Sequence, residues 1–477
     1  MHRVKYLAIL GLLLFLLTAC ALIRTEATIT TKGVEGESSV AVAPEPSQEG
    51  SGETAPAIQP TSQATDYCLD CHTNQQSLLA NLVSQAGGQP VGEEVATKFL
   101  VDGETYPSSI HGLNGCIGCH GGVNDPDMKT AHEGVVHNPS RDPQALCGQC
   151  HPDIVQFAGT NLHFSMSGYT SSLKEKGVPA SHPAVQEAIN GQCSSCHATC
   201  GECHVSHPSV AGGGLVNGHI FNRTPPMEAN CLACHGERLG AEYLGNGGSM
   251  PADLHYQQGN MVCTDCHDVG EVHGKPSDCD TCHPGPEKSQ LLPPEHRFSG
   301  PQSPRCESCH PIVAAREDDV IMHKMHGSKL ACQVCHSVAY PGWKDGEMVL
   351  DAESGTASYE FGPTAMQFLI GKNPMPSYDR PYQYVLVRHL PLSLDSFAAL
   401  GQSVQVDPTK LQTWEYATPH NIQKKTPQTE SCNTCHGDPK WFLTTDKVAP
   451  GELEGNKQLI VDQLPPLITS ADQIPDW

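Results

Sequence analysis

Of the 23 cysteines in this 477-residue chain, 22 fall into a single pattern, Cys-x-x-Cys-His, repeated eleven times. The first four copies are Cys68-Cys71-His72, Cys116-Cys119-His120, Cys147-Cys150-His151 and Cys193-Cys196-His197. Next come Cys200-Cys203-His204, Cys231-Cys234-His235, Cys263-Cys266-His267 and Cys279-Cys282-His283. Cys306-Cys309-His310, Cys332-Cys335-His336 and Cys432-Cys435-His436 complete the series. The rest of the composition offers little to build a conventional core. Aromatic residues are only 5% of the chain, while Gly and Pro number 45 and 38.

The pattern reads as covalent attachment of c-type haem. Two residues between the thiols place both sulfurs on one turn, within reach of two vinyl groups on one porphyrin edge. The following His then comes under the iron as proximal ligand. A disulfide framework or a set of zinc sites could also consume paired cysteines in an exported protein. Neither explains a His after every pair, or the absence of an unpaired Cys among the 22. A thioredoxin-type redox site needs one such motif. The expected cofactors are therefore eleven c-type haems.

The supply of second ligands can be counted. Setting aside His2 and the eleven motif imidazoles, fourteen His remain. Thirteen are candidates for distal ligands: His111, His132, His137, His163, His182, His219, His255, His273, His296, His323, His326, His389 and His420. The fourteenth, His207, lies three residues after His204 and reads as a spare. Eleven bis-His irons would leave three His over, and an iron so closed can only accept and pass electrons. His111, His273 and His326 each precede a Gly and sit five or six residues before a motif; His219 and His420 each sit twelve before one. A His so near a motif folds back onto its own iron with difficulty, so crossed ligation of neighbouring haems is expected.

The N-terminus fixes the compartment. Arg3 and Lys5 precede an apolar run from Leu7 to Leu17, which suits a signal-peptide core and is shorter than the roughly 20 residues of a membrane span. The run ends in Leu17-Thr18-Ala19-Cys20, which resembles the lipobox of bacterial lipoproteins and implies cleavage before Cys20 and its acylation. Residues 21 to 66 then read as a tether. Val34 to Ala64 has no aromatic residue and cannot fold alone. As a coil the tether would reach roughly 40 Å.

The chain divides into a signal peptide (1–19), a lipidated N-terminus with disordered tether (20–66) and a decahaem region (67–340). A haem-free insertion (341–422) and the eleventh motif with its tail (423–477) follow. The expected fold class is haem-packed: short α-helices and irregular loops wrapped around a haem array, with little β-structure. Cys68 to His336 holds ten motifs in 269 residues. Pro at 152, 284 and 311, and Gly at 121, 236 and 437, should stop a helix at or soon after each turn. Gln75 to Ala86 is a helix candidate and Gln383 to Arg388 a strand. Cys193 to His204 carries two motifs so close that their haems must be neighbours. The insertion is expected to cover porphyrin and to supply His389 and His420. The tail should wrap the surface.

Taken together, the motifs resemble the multihaem c-type cytochromes of bacterial respiration, here with eleven sites over Cys68 to His436. Haem density is similar to that of decahaem conduits crossing the cell envelope. It is unlike the larger outer-surface cytochromes with β-barrel domains. Pentahaem nitrite reductases use a Cys-x-x-Cys-Lys motif that is missing from this sequence. The resemblance implies an extracytoplasmic electron carrier between a respiratory donor and a terminal or extracellular acceptor, with no catalytic residue of its own. Its partners would be redox proteins or a membrane respiratory complex. It would be anchored by lipid to the outer face of the cytoplasmic membrane or to the outer membrane. A reductase or oxidase with one open haem, and a cytochrome filament subunit, are the alternatives. With 52 acidic against 28 basic residues the net charge is −24, which argues against nucleic acid and favours positively charged partners. Cys20→Ala is expected to move the exported protein from the detergent phase to the aqueous phase in a detergent partition of cell envelopes.

Overall fold

A computed structural model describes residues 66–82, 91–168, 170, 181, 183–191, 198–246, 251–274, 305–338, 343–350, 357–366, 368–374, 381–390 and 411–474. The signal peptide, Cys20, the tether, His182, His296 and the fourth and eighth motifs lie outside these residues. From Thr65 onward the chain forms one compact unit, in which the segment 341–422 is not set apart. No helix among the described residues is long and apolar enough to cross a membrane.

Each of the nine described motifs occupies a single helical turn, and the local sequence explains how the turn begins and ends. Cys200–His204 starts at Thr199, whose backbone N–H donates to the Glu202 carboxylate at 2.9 Å. Asp66 caps Tyr67–His72 by accepting from the Leu69 amide. The motif His amide then closes the turn on the carbonyl of the first Cys, as in His151 to Cys147 at 2.8 Å and His310 to Cys306 at 2.9 Å. Gly121 and Gly437 end their turns at φ 67° and 78°. Pro152 and Pro311 open the next short helices, Pro152–Val155 and Pro311–Ala314.

Two local expectations need correction. Gly236 does not stop its helix: helical structure runs from Met227 to Leu244, with π-helical turns at Met227–Cys231 and Gly236–Gly240 on either side of Leu232–His235. Gly236 and Gly240 keep helical angles, a Cβ at Gly240 would meet Leu232 at 2.6 Å, and the stop comes at Gly245 with φ 72°. The helix expected over Gln75 to Ala86 covers Gln75–Asn81, and the rest lies partly outside the described residues. Leu82 turns extended, and its carbonyl accepts from the Val91 amide.

The C-terminal third is built differently. Strands β1 (Trp343–Leu350) and β2 (Ala357–Met366) form an antiparallel pair, with an irregularity between Lys344 and Gly346. Strands β3 (Leu369–Lys372), β4 (Tyr384–His389) and β5 (Trp414–Tyr416) form a three-stranded antiparallel sheet in the order β3-β4-β5. Val387 of the central strand lies opposite Leu369 on one side and Tyr416 on the other. A true hydrophobic core covers this sheet, including Ile370, Val385, Val387, Trp441, Leu443, Leu459 and Val461.

That core overturns the expected surface role of the tail. Trp441 to Leu443 and Leu459 to Val461 are buried, and the Leu443 amide donates to Ile370 of β3. Their apolar runs are three residues each, too short to show a period in a polar sequence. Asn456, fully buried, locks the arrangement: its side-chain oxygen accepts from the Thr413 and Trp414 amides at 3.0 and 2.8 Å. The sheet also clamps the tenth motif, since the Ala331 amide donates to the Tyr384 carbonyl at 3.0 Å. Leu443→Ala is expected to cost about 2–5 kcal/mol, as truncation of a fully buried Leu does, measured by denaturant unfolding.

Candidate metal centres

The nine described motif imidazoles each face a second imidazole from elsewhere in the chain. Numbering sites by motif, site 1 pairs His72 with His132 at a ring-centre distance of 6.2 Å. Site 2 pairs His120 with His219 at 5.9 Å, and site 3 pairs His151 with His111 at 6.3 Å. Site 5 pairs His204 with His273 at 6.0 Å, and site 6 pairs His235 with His163 at 6.1 Å. Site 7 pairs His267 with His420 at 6.5 Å, and site 9 pairs His310 with His255 at 6.1 Å. Site 10 pairs His336 with His323 at 6.0 Å, and site 11 pairs His436 with His326 at 6.1 Å. Van der Waals stacking would bring rings far closer. Two imidazoles bound on opposite sides of one metal, each by a bond of about 2 Å, have centres about 6 Å apart.

The pairing crosses motifs. His111 and His326 precede motifs 2 and 10 yet face the imidazoles of motifs 3 and 11. His219, His273 and His420 reach back to motifs 2, 5 and 7. The Gly after three of these His has a packing reason. A Cβ on Gly112 would come 1.8 Å from the Tyr106 carbonyl, one on Gly274 2.4 Å from the Asn161 amide, and one on Gly327 2.6 Å from the His323 carbonyl. His219 itself sits at φ 75°, after Asn217 and Gly218 at 50° and 63°. Three successive left-handed residues hold strain that the surrounding fold must support.

Hydrogen bonds set the tautomer. Nδ1–H of His132 donates to the Met128 carbonyl at 2.7 Å, that of His120 to Val136 at 2.9 Å, and that of His204 to Asn222 at 2.7 Å. His273, His336, His420 and His436 likewise donate to Val269, Gln423, Thr418 and Pro466. A carbonyl only accepts, so Nδ1 must carry the proton and Nε2 keeps its lone pair. His255, His267 and His323 donate instead to Asp253, Glu271 and Asp318. Burial pushes His72, His163, His204 and His326 below the usual imidazole range, and His219 down to about 4. These rings are thus neutral donors, as metal ligation needs.

The cysteines place the sites in series. The side chains of Cys68 and Cys116, of Cys147 and Cys200, of Cys231 and Cys263, and of Cys306 and Cys332 lie within reach of each other. Cys203 lies near Cys231, Cys266 near Cys309, and Cys335 near Cys435, each close enough to interact electrostatically. Between sites 2 and 3, Phe221 stacks on His111 at 3.9 Å and meets His219 at 5.6 Å. The described sites therefore run 1-2-3-5-6-7-9-10-11. Sites 4 and 8, and so the expected contact between motifs 4 and 5, lie outside the described residues.

The residues fit a large apolar group with iron at its centre. Exposed apolar side chains flank the paired imidazoles: Ile110, Leu113 and Ile117 around His111 and motif 2, Val269 near His267, and Ile312 beside His310. The fit to zinc is poor. Among the described residues no three His, Cys, Asp or Glu side chains gather as a metal site, and tetrahedral zinc takes four ligands.

With nine pairs assigned, His137, His207 and His389 are the described His left over. His389 stacks on Trp414 at 5.0 Å, and its Nε2 reaches the Glu452 carboxylate at 3.0 Å, so that nitrogen is engaged within the C-terminal core. His207 donates from Nδ1 to the Ala229 carbonyl at 3.1 Å, the same tautomer as the paired rings, and His137 is exposed. The three carboxylates beside His255, His267 and His323 escaped the sequence reading. Spacings of two, four and five residues from the His were the available signal.

Comparison of the chain with protein-family models, with curated proteins and with solved structures finds no match. Gly274→Ala forces a Cβ into the Asn161 backbone at a left-handed position and is expected to cost about 1–3 kcal/mol in urea unfolding. Hydrogen exchange should localise the loosening to the His273 turn, which Thr160 and Asn161 hold by bonds to the Gly274 and Val272 carbonyls.

Proposed function

We propose that this chain is an exported, lipid-anchored electron carrier that binds eleven c-type haems and relays electrons between a respiratory donor and a terminal or extracellular acceptor. The observation that carries the reading is the pairing of all nine described motif imidazoles with a second imidazole at 5.9 to 6.5 Å. When bound, haem iron supplies one-electron chemistry, with the axial ligands and their surroundings setting each potential.

The chain's own residues would do the rest. The two thiols of each motif would hold the porphyrin, and the paired imidazoles would hold its iron. With an imidazole pair at each of the nine described sites, small molecules would have no point of entry there, which favours a carrier over a reductase or oxidase. Carbonyl partners on Nδ1 of seven paired rings, and carboxylates on three, orient those rings before any group binds. Adjacent cysteines bring neighbouring attachment turns together, and Phe221 covers the step between sites 2 and 3. The net charge of −24 supports docking of positively charged redox partners, with rates that fall as salt rises. Cys20 would tie the unit to a membrane surface by lipid.

The test is electron paramagnetic resonance of the fully oxidised, haem-loaded protein, with haem content counted from the intact mass. Eleven haems per chain, all low-spin, are expected. A stoichiometric high-spin ferric signal that shifts with nitrite or hydroxylamine would replace the carrier with an enzyme at that site. Concentration-dependent sedimentation into long polymers would favour a filament subunit.

A further inference from the structure

Three of the described paired imidazoles donate Nδ1–H to a carboxylate. His255 donates to Asp253 at 2.8 Å, His267 to Glu271 at 3.1 Å and His323 to Asp318 at 2.5 Å. All three carboxylates are held out of water, with side-chain exposures of 3%, 16% and 19%. The second oxygens of Glu271 and Asp318 are buried without a hydrogen-bond partner. Little else therefore offsets the charge that these two groups direct at their rings. Asp253 also accepts from the His255 and Ile422 amides, so it is fixed in place. At seven other paired rings, His120, His132, His204, His273, His336, His420 and His436, a neutral backbone carbonyl takes the same proton, and His336 and His420 are the second rings of sites 10 and 7.

The three rings belong to sites 9, 7 and 10, and these are consecutive in the spatial series. Cys266 of site 7 lies near Cys309 of site 9, and Cys306 of site 9 lies beside Cys332 of site 10. Placement in the sequence gives no reason for this clustering, because the three acids come from separate turns.

A full negative charge on Nδ1–H draws the proton toward the carboxylate and gives the ring imidazolate character. Such a ring is a stronger donor at Nε2 and stabilises the more highly charged metal state. Resting on the haem reading above, we infer that Asp253, Glu271 and Asp318 are tuning residues that make sites 7, 9 and 10 a contiguous low-potential stretch. Among the described sites, electrons held on sites 1, 2, 3, 5 and 6 are separated by this stretch from those on site 11. Transfer along the series is then governed by three adjacent steps of low occupancy, and the two flanking pools fill independently.

The experiment is a mediated potentiometric titration of the holoprotein, followed by visible absorbance, for the natural chain, Glu271→Gln, Asp318→Asn, Asp253→Asn and the triple variant. Each iron takes one electron from the mediator in going from ferric to ferrous. Each single variant should move one step among the lowest-potential group upward by about tenfold in the oxidised-to-reduced ratio, which is 59 mV for a one-electron couple. The triple variant should move three. Glu454→Gln, an exposed acid paired with Lys457, controls for net charge and should move none. Asp253 is buried and bonded on several sides, so Glu271→Gln and Asp318→Asn decide the matter if Asp253→Asn does not fold. Titrations that superimpose on the natural chain's, with eleven low-spin haems retained, overturn the inference and leave the carrier reading intact. A shift that appears only with loss of the low-spin signal also overturns it. A chain that takes up no haem overturns the carrier reading itself.

Discussion

A half-buried imidazole has to commit both nitrogens, and most of the structure follows from how Nδ1 is committed. A backbone carbonyl or a carboxylate accepts its proton at site after site, which fixes the tautomer, the ring plane and the free lone pair on Nε2. These bonds often come from the ring's own helical turn, as Met128 serves His132 and Val269 serves His273. Others bind distant parts together. His336 donates to Gln423, and the Gln423 amide returns a bond to the His336 carbonyl.

In the proposed carrier, haem held between rings from distant segments would do the work that a core does elsewhere. His219 joins residues near 219 to motif 2, and His420 joins the far side of the sheet to motif 7. Buried carboxylates reinforce the second of these. Glu242 accepts from the His420 amide and Asp253 from the Ile422 amide, at 2.7 and 2.6 Å. A conventional apolar core is built where aliphatic and aromatic residues are dense, around β3, β4 and β5. The two kinds of construction meet at motif 10, whose Ala331 and Val334 are buried in that core.

The linear series of sites gives the proposed carrier its economy. Among the described sites, neighbours in the series come together through their cysteines or, between sites 2 and 3, through Phe221, so a change at one site is felt mainly by those beside it. Carboxylates at sites 7, 9 and 10 then act on a segment, while the carbonyl-bonded sites on either side share a more uniform environment.

Sequence alone was enough to mark the eleven Cys-x-x-Cys-His motifs and to expect a helical turn at each of the nine described ones, because two Cys and a His at fixed spacing form within one turn and need no distant contact. The count of spare His, the Gly that follows three of them and the strand near Tyr384 were also legible there. Which His faces which motif was not, since the partners lie up to 153 residues apart, as His267 and His420 do, and no local pattern records that closure. The same reason hid the tail. Trp441 to Leu443 and Leu459 to Val461 look like isolated apolar triplets until β3 and Asn456 bring them together. His389 looked like a ligand from its place in the chain. Only the folded structure set it against Trp414 and Glu452, because a side chain's partner is fixed by what the fold carries to it.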